Sequence, residues 1–170
     1  MRKNGVLWAL ALIPSIMDRV RESEAKAVGY VYGDGEGEIF KELRKAKKIK
    51  IQGYYRQGTL PALLAKDKIT VAVLPSISPE AYALVVDECL AAGISVVAFE
   101  HGAVGERLSY WEVGDLVPLT LGTDGLADTV IENLGRKQQV PDSAIRTLPQ
   151  IDRVARKYLE IYKGQRARAR

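Results

Sequence analysis

The sequence predicts a doubly wound, parallel α/β fold, and two observations carry that expectation. Short β-branched runs alternate with amphipathic helical stretches from residue 28 to about 134. That alternation buries a parallel sheet between two layers of helices. Glycines cluster just after the runs, where a strand must turn into a helix. With 170 residues, 47% of them hydrophobic and 27% charged, the chain has enough apolar material for one self-sufficient core. No repeat and no linker divides it, so residues 1–170 are read as a single Rossmann-like domain.

The elements follow in order. Met1-Arg2-Lys3 followed by Val6–Ile13 has the charged and apolar regions of a signal peptide, but the next residues, Pro14-Ser15-Ile16-Met17-Asp18, offer no small-x-small cleavage site. Leu7, Leu10, Ile13, Met17 and Val20 recur at helical spacing. The apolar stretch is shorter than the roughly 20 residues a membrane span needs. A helix with one buried face is therefore expected, kinked at Pro14. Val28–Tyr32 reads as a strand, then a charged helix at about 36–46, a strand at Lys48–Gln52 and a short helix near Leu60–Ala65. Thr70–Leu74 is the next strand, stopped by Pro75, and a helix follows Glu80 as far as Ala92, with Gly93 as its stop. Ser95–Phe99 and Asp115–Leu119 are the last strands, and helices near 124–134 and 150–163 lead to a basic tail at 164–170.

Several chemistries are excluded. Cys89 is the only cysteine and sits in an apolar run, so there is no disulfide framework and no zinc cluster. Gly33-Asp34-Gly35-Glu36-Gly37 lacks the spacing of a dinucleotide fingerprint, which disfavours a flavin or NAD domain. Asp34, Glu36 and Glu38 begin like a calcium loop, but Ile39 stands where that loop needs glycine. No Asp-x-Asp pair exists, so no metal is expected. The net charge of +4 resides in the last eight residues; a short tail of this kind is a solvated terminus, and no nucleic-acid partner is expected. His101, the only histidine, lies in a loop and reads as incidental.

The most specific feature is the segment from Glu80 to Glu88. A helix beginning just after Glu80 would separate the two carboxylates by about 12 Å along its axis. The first-turn N–H groups, at Tyr82, Ala83 and Leu84, would be free to meet phosphates. Both glutamates alone would pass for solvated helix residues. Their surroundings point further: Leu74-Pro75-Ser76 before them, Ala91-Ala92-Gly93 and Val96-Val97-Ala98 after them, then Gly102-Ala103-Val104-Gly105-Glu106 as a turn. Upstream stand Gly33-Asp34-Gly35, Gly53-Tyr54-Tyr55 and Leu60-Pro61-Ala62-Leu63-Leu64. In this order, over residues 26–134, the chain resembles the C-terminal, donor-binding domain of family 4 (group 1) retaining glycosyltransferases of the GT-B fold. It departs from them with Ala81 and Ala83 at glycine positions, and it lacks their first strand and Gly-Arg turn.

The resemblance implies a nucleoside-diphosphate sugar as donor substrate, no cofactor and no metal, in polysaccharide or glycan biosynthesis. It implies catalytic roles for Glu80, facing the transferred sugar, and Lys3, gripping the diphosphate. Glu88 would hold the ribose, the backbone at Tyr82, Ala83 and Leu84 the phosphates, and Gly53, Tyr54 and Tyr55 the base. It further implies a fragment cut just before Lys3, inactive without an N-terminal acceptor domain. The full enzyme is expected to be cytoplasmic, with peripheral membrane contact and oligomeric state left open. A sugar-nucleotide epimerase with the same donor half, and a non-catalytic nucleotide-binding or interaction module, remain alternatives.

Overall fold

The computed structural model describes residues 3–33, 35, 37–46, 48–134, 140–142, 145 and 151–168; of residues 3–11, 151 and 164–168 it describes the backbone alone. Helix α1, Lys3–Glu22, runs through Pro14 and buries Ile16 and Val20, the continuation of the helical apolar spacing. Next come β1 (Gly29–Tyr32), α2 (Glu38–Lys45), β2 (Ile49–Gly53), α3 (Leu60–Lys66), β3 (Val71–Leu74) and α4 (Leu84–Ala91). The chain continues through β4 (Ser95–Phe99), α5 (Gly102–Trp111), β5 (Asp115–Val117), a 3-10 turn at Leu119–Leu121, α6 (Gly122–Asn133) and α7 (Ile151–Arg168).

All strand pairs are parallel, as expected of β-branched runs joined by helices, but they form two sheets: β1-β2, and β3-β4-β5 in that order. In a doubly wound sheet the strand leading into the first helix lies between the second and fourth strands. Here residues from Lys3 onward are already helical, and no described strand occupies that position. The helices hold the halves together. From α1, Ile13 and Met17 pack on Val31, Leu43 and Ile49 of the two-stranded half, while Ile16 and Val20 join Val97, Phe99, Val117 and Leu126 of the other. On the opposite face Tyr32 and Tyr55 pack against the cluster of Leu60, Leu64, Val86, Leu90, Val96 and Leu108. Tyr32 also donates to Asp67 Oδ2 at 2.8 Å, as does Gln52 Nε2.

β4 is buried at all five positions. Its alternate side chains feed opposite clusters, Val96 and Ala98 one, Val97 and Phe99 the other; this is the period-two geometry of a strand covered on both faces. α4 ends as its glycine foretells: Gly93, at φ +71°, donates to Leu90 O, and Ile94 N–H donates to Cys89 O, a Schellman closure.

Several boundaries differ from the sequence reading, and α7 continues to Arg168 where a tail was expected from residue 164. α4 starts at Leu84, four residues beyond Glu80, because Ala83 is left-handed (φ 59°, ψ 69°) and cannot continue a helix. Gly102–Glu106 is the first half of α5, not a turn: Val104 and Leu108, one helical turn apart, are both buried. β5 ends at Val117 because Pro118 has no N–H for a ladder. On α7 the stripe of Val154, Tyr158 and Ile161 is exposed. Asp34 and Glu36, from the glycine-rich loop, and the end of the tail, Ala169 and Arg170, lie outside the described residues.

Candidate functional site

Parallel strands bring their carboxyl ends to one edge, where a doubly wound fold binds ligands. The loops there are Tyr54–Thr59 after β2, Pro75–Ala83 after β3 and Glu100–His101 after β4, and hydrogen bonds tie them together. Glu88, on the second turn of α4, accepts the Gly58 N–H on Oε1 at 2.7 Å; it thereby links the two halves of the molecule at this edge. Its Oε2 makes no hydrogen bond among the described residues. Glu80 is exposed, and its backbone O accepts the Ala103 N–H at 3.2 Å. Close approach of α5 requires Gly102, since a Cβ there would stand 3.0 Å from Pro79 Cα and 3.2 Å from Glu80 N. Glu80 therefore belongs to a packed loop, and the 12 Å span expected from helical rise does not describe the pair.

Among the described residues, the N–H groups of Tyr82, Ala83, Leu84 and Val85 make no hydrogen bond, and Val86 N–H turns back to Ala83 O at 3.0 Å. The free donors expected at Tyr82, Ala83 and Leu84 are thus present, although only Leu84 belongs to the helix. A run of unpaired N–H groups at a helix N-terminus has the polarity to receive an anion. At the far side, Gly53 closes β2 at φ +76° and accepts the Gly33 N–H at 2.9 Å. Tyr54 is 83% exposed, whereas Tyr55 is half-buried against the core. Burial, and then the charge of Glu88, hold the Tyr55 phenol above its ordinary pKa. The Tyr54 ring is thus open to solvent, whereas Tyr55 packs against the core. Lys3 opens α1, and its side chain lies outside those described.

Sequence reasoning missed one group entirely. Arg107 on α5 reaches across to the α4 entry and donates to Tyr82 O at 2.6 Å, to Ala83 O at 3.2 Å and to the Asp87 carboxylate. Its guanidinium carbon lies 4.1 Å from the Tyr82 ring centroid and 4.8 Å from that of Trp111. Burial, then a hydrogen bond with Asp87, raise the Tyr82 phenol pKa. The pairing spans 20 residues of sequence, so no local spacing could reveal it. His101 precedes α5 with an extended backbone, and its Nε2 is buried without a hydrogen-bond partner among the described residues.

Cys89 is core, as its apolar neighbours foretell: it is buried, and burial pushes the thiol up to about 12. Among the described residues no three His, Cys, Asp or Glu side chains come together as a metal site, and no helix is long and apolar enough to cross a membrane.

Comparison with known proteins bears on this edge. No curated protein matches the chain. A crystal structure of Alr3699/HepE from Anabaena, in complex with UDP and glucose, superposes with a TM-score of 0.60 at 19% identity, over 77% of this chain and 38% of that one. The likeness establishes the fold, and the chain spans little more than a third of that protein. The family model of the group 1 glycosyl transferases matches residues 1–135, which takes in every strand and every loop of the edge just described. With fold and sequence in agreement over four-fifths of its length, this chain belongs to the group 1 glycosyl transferases.

Proposed function

We propose that the chain is the donor-binding part of a retaining glycosyltransferase that moves a sugar from a nucleoside-diphosphate sugar to an acceptor hydroxyl. The observation that carries this reading is the run of four unpaired N–H groups at Tyr82–Val85, flanked by Glu80 on one side and Glu88 on the other. The free donors suit a diphosphate. The open Oε2 of Glu88 suits a ribose hydroxyl, and Tyr54 offers a face to the base. Glu80 would orient the transferred sugar and favour positive charge at its anomeric carbon. The N–H groups, with Lys3, would stabilise charge developing on the departing diphosphate, the largest contribution such a site makes. The acceptor would be held by a further domain, so this chain alone is expected to bind donor without transferring sugar. Because HepE was solved with UDP and glucose, UDP is the first nucleotide to try.

In the whole enzyme, Glu80→Gln should lower kcat by about 100-fold or more with a small change in donor KM, the pattern of an interaction made in the transition state. Turnover within about threefold of the unchanged enzyme would remove Glu80 from the chemistry. The epimerase alternative predicts an epimerised nucleotide sugar without any acceptor, and product analysis separates the two.

A further inference from the structure

Beyond the donor residues themselves, we infer that Arg107 is a positioning residue: it holds the Tyr82–Ala83 backbone in the one conformation that presents the unpaired N–H groups to a diphosphate. The inference rests on the donor-site reading and adds to it a residue that never touches the ligand.

Ala83 is the starting point. It is buried, with φ 59° and ψ 69°, a left-handed conformation in which a Cβ crowds the following carbonyl. An alanine stays there only where its surroundings over-determine it. Its methyl packs in the core and its carbonyl accepts the Val86 N–H, and one side chain acts on both of its flanking peptides. The guanidinium of Arg107 takes the carbonyls on both sides of the Ala83 Cα, Tyr82 O at 2.6 Å and Ala83 O at 3.2 Å, and is itself fixed by the Asp87 carboxylate. The Tyr82 and Trp111 rings lie 4.1 and 4.8 Å from it, which restricts its rotamers and favours its charge. Its side chain is only 14% exposed, and that of Asp87 18%.

Two carbonyls drawn towards Arg107 constrain the peptide units that carry the N–H groups of Ala83 and Leu84. Releasing the clamp lets Ala83 relax towards φ < 0, which reorients both. The planar fork suits this work, since it serves several acceptors from one rigid group; a lysine would offer a point charge on a flexible stem. Asp87 is placed for it by spacing, four residues beyond Ala83, one helical turn on.

The test is binding by this chain of three pairs, UDP and uridine, GDP and guanosine, ADP and adenosine, measured by ligand-observed NMR. Each pair gives the preference for diphosphate over bare nucleoside. Arg107→Met is expected to lower that preference by about tenfold or more while nucleoside binding moves less than about twofold. Adding Ala83→Gly to that variant should restore most of the lost preference, because glycine adopts the left-handed conformation unaided. A residue acting by direct charge on the phosphate would not be rescued by a change at position 83, and one needed only for folding would lose nucleoside binding as well. A binding-independent measurement accompanies this: amide exchange at Val86, whose N–H is held by Ala83 O, should accelerate in Arg107→Met while β4 stays protected. An unchanged diphosphate preference, unchanged exchange at Val86, or failure of the glycine rescue would overturn the inference with the donor site intact. If the unaltered chain prefers no diphosphate over its nucleoside, the donor-site reading itself falls and takes the inference with it.

Discussion

Ala83 shows how much a single backbone conformation settles. Its left-handed φ stops α4 from reaching back to Glu80, and the N–H groups of Tyr82–Val85 around it stay unpaired. The conformation costs an alanine about 1–2 kcal/mol, whereas glycine loses about 0.5–1 kcal/mol more backbone entropy on folding. Ala83 also buries its methyl in the core, worth about 0.8 kcal/mol, so Ala83→Gly in the otherwise unaltered chain should change stability by less than about 1 kcal/mol in urea unfolding, and a loss of about 2 kcal/mol or more would show that the backbone there is relaxed. Cys89 makes a second prediction. Its thiol, pushed up to about 12 by burial, holds its proton more tightly in the folded than in the unfolded chain, where it titrates near 9. As pH rises past 9 the unfolded state loses that proton first, so stability falls with pH. Between pH 8 and 10 the unaltered chain should lose about 1.4 kcal/mol more than Cys89→Ala does, as read from urea unfolding at the two pH values. Equal slopes would place the thiol in contact with water. That Cys89 is core was legible from its apolar run. The left-handed Ala83 was not read from the alanine itself, although the resemblance places it at a glycine position, where positive φ is common.

At the scale of elements, two glycines that look alike in sequence separate by what surrounds them. Gly93 closes α4 at φ +71° with nothing within 4 Å of where a Cβ would stand. Gly114, between α5 and β5, has φ +74°, but a Cβ there would lie 2.4 Å from Val96 O. Gly93→Ala should cost about 1–2 kcal/mol, the conformational penalty alone. Gly114→Ala adds overpacking against β4, for about 2–5 kcal/mol in total. Chemical denaturation of both variants checks the ranking; equal losses would mean that the β4–β5 contact yields easily. The strands were legible because β-branched runs bounded by Gly and Pro have few other uses. α5 was hidden, as Gly102 and Gly105 read as turn residues, yet both are there for close packing: a Cβ on Gly105 would stand 3.1 Å from Glu100 C. The clamp of Arg107 on α4 was invisible for a different reason, since contacts between elements 20 residues apart leave no period in the sequence.

For the whole molecule, the sequence implied one doubly wound sheet, and the chain forms two parallel ones under shared helices. The alternation of elements foretold the layers and the edge at which the strand ends gather, where the site is proposed. In a doubly wound sheet the first strand lies between the strands corresponding to β1 and β3, and no described strand fills that place. The division falls between them, and the hydrogen bond from Gly58 to Glu88 crosses it at the proposed donor edge. On the proposed reading, donor binding and the joining of the two halves would share one carboxylate. The most direct measurement is ligand-observed NMR of this chain with UDP, GDP, ADP and their common sugar conjugates, repeated on Glu88→Ala. One nucleotide series should bind, and Glu88→Ala should weaken it by about tenfold or more, the loss expected when a charged hydrogen-bond partner is removed. Binding of no nucleotide, or binding indifferent to Glu88, would contradict the donor-site reading.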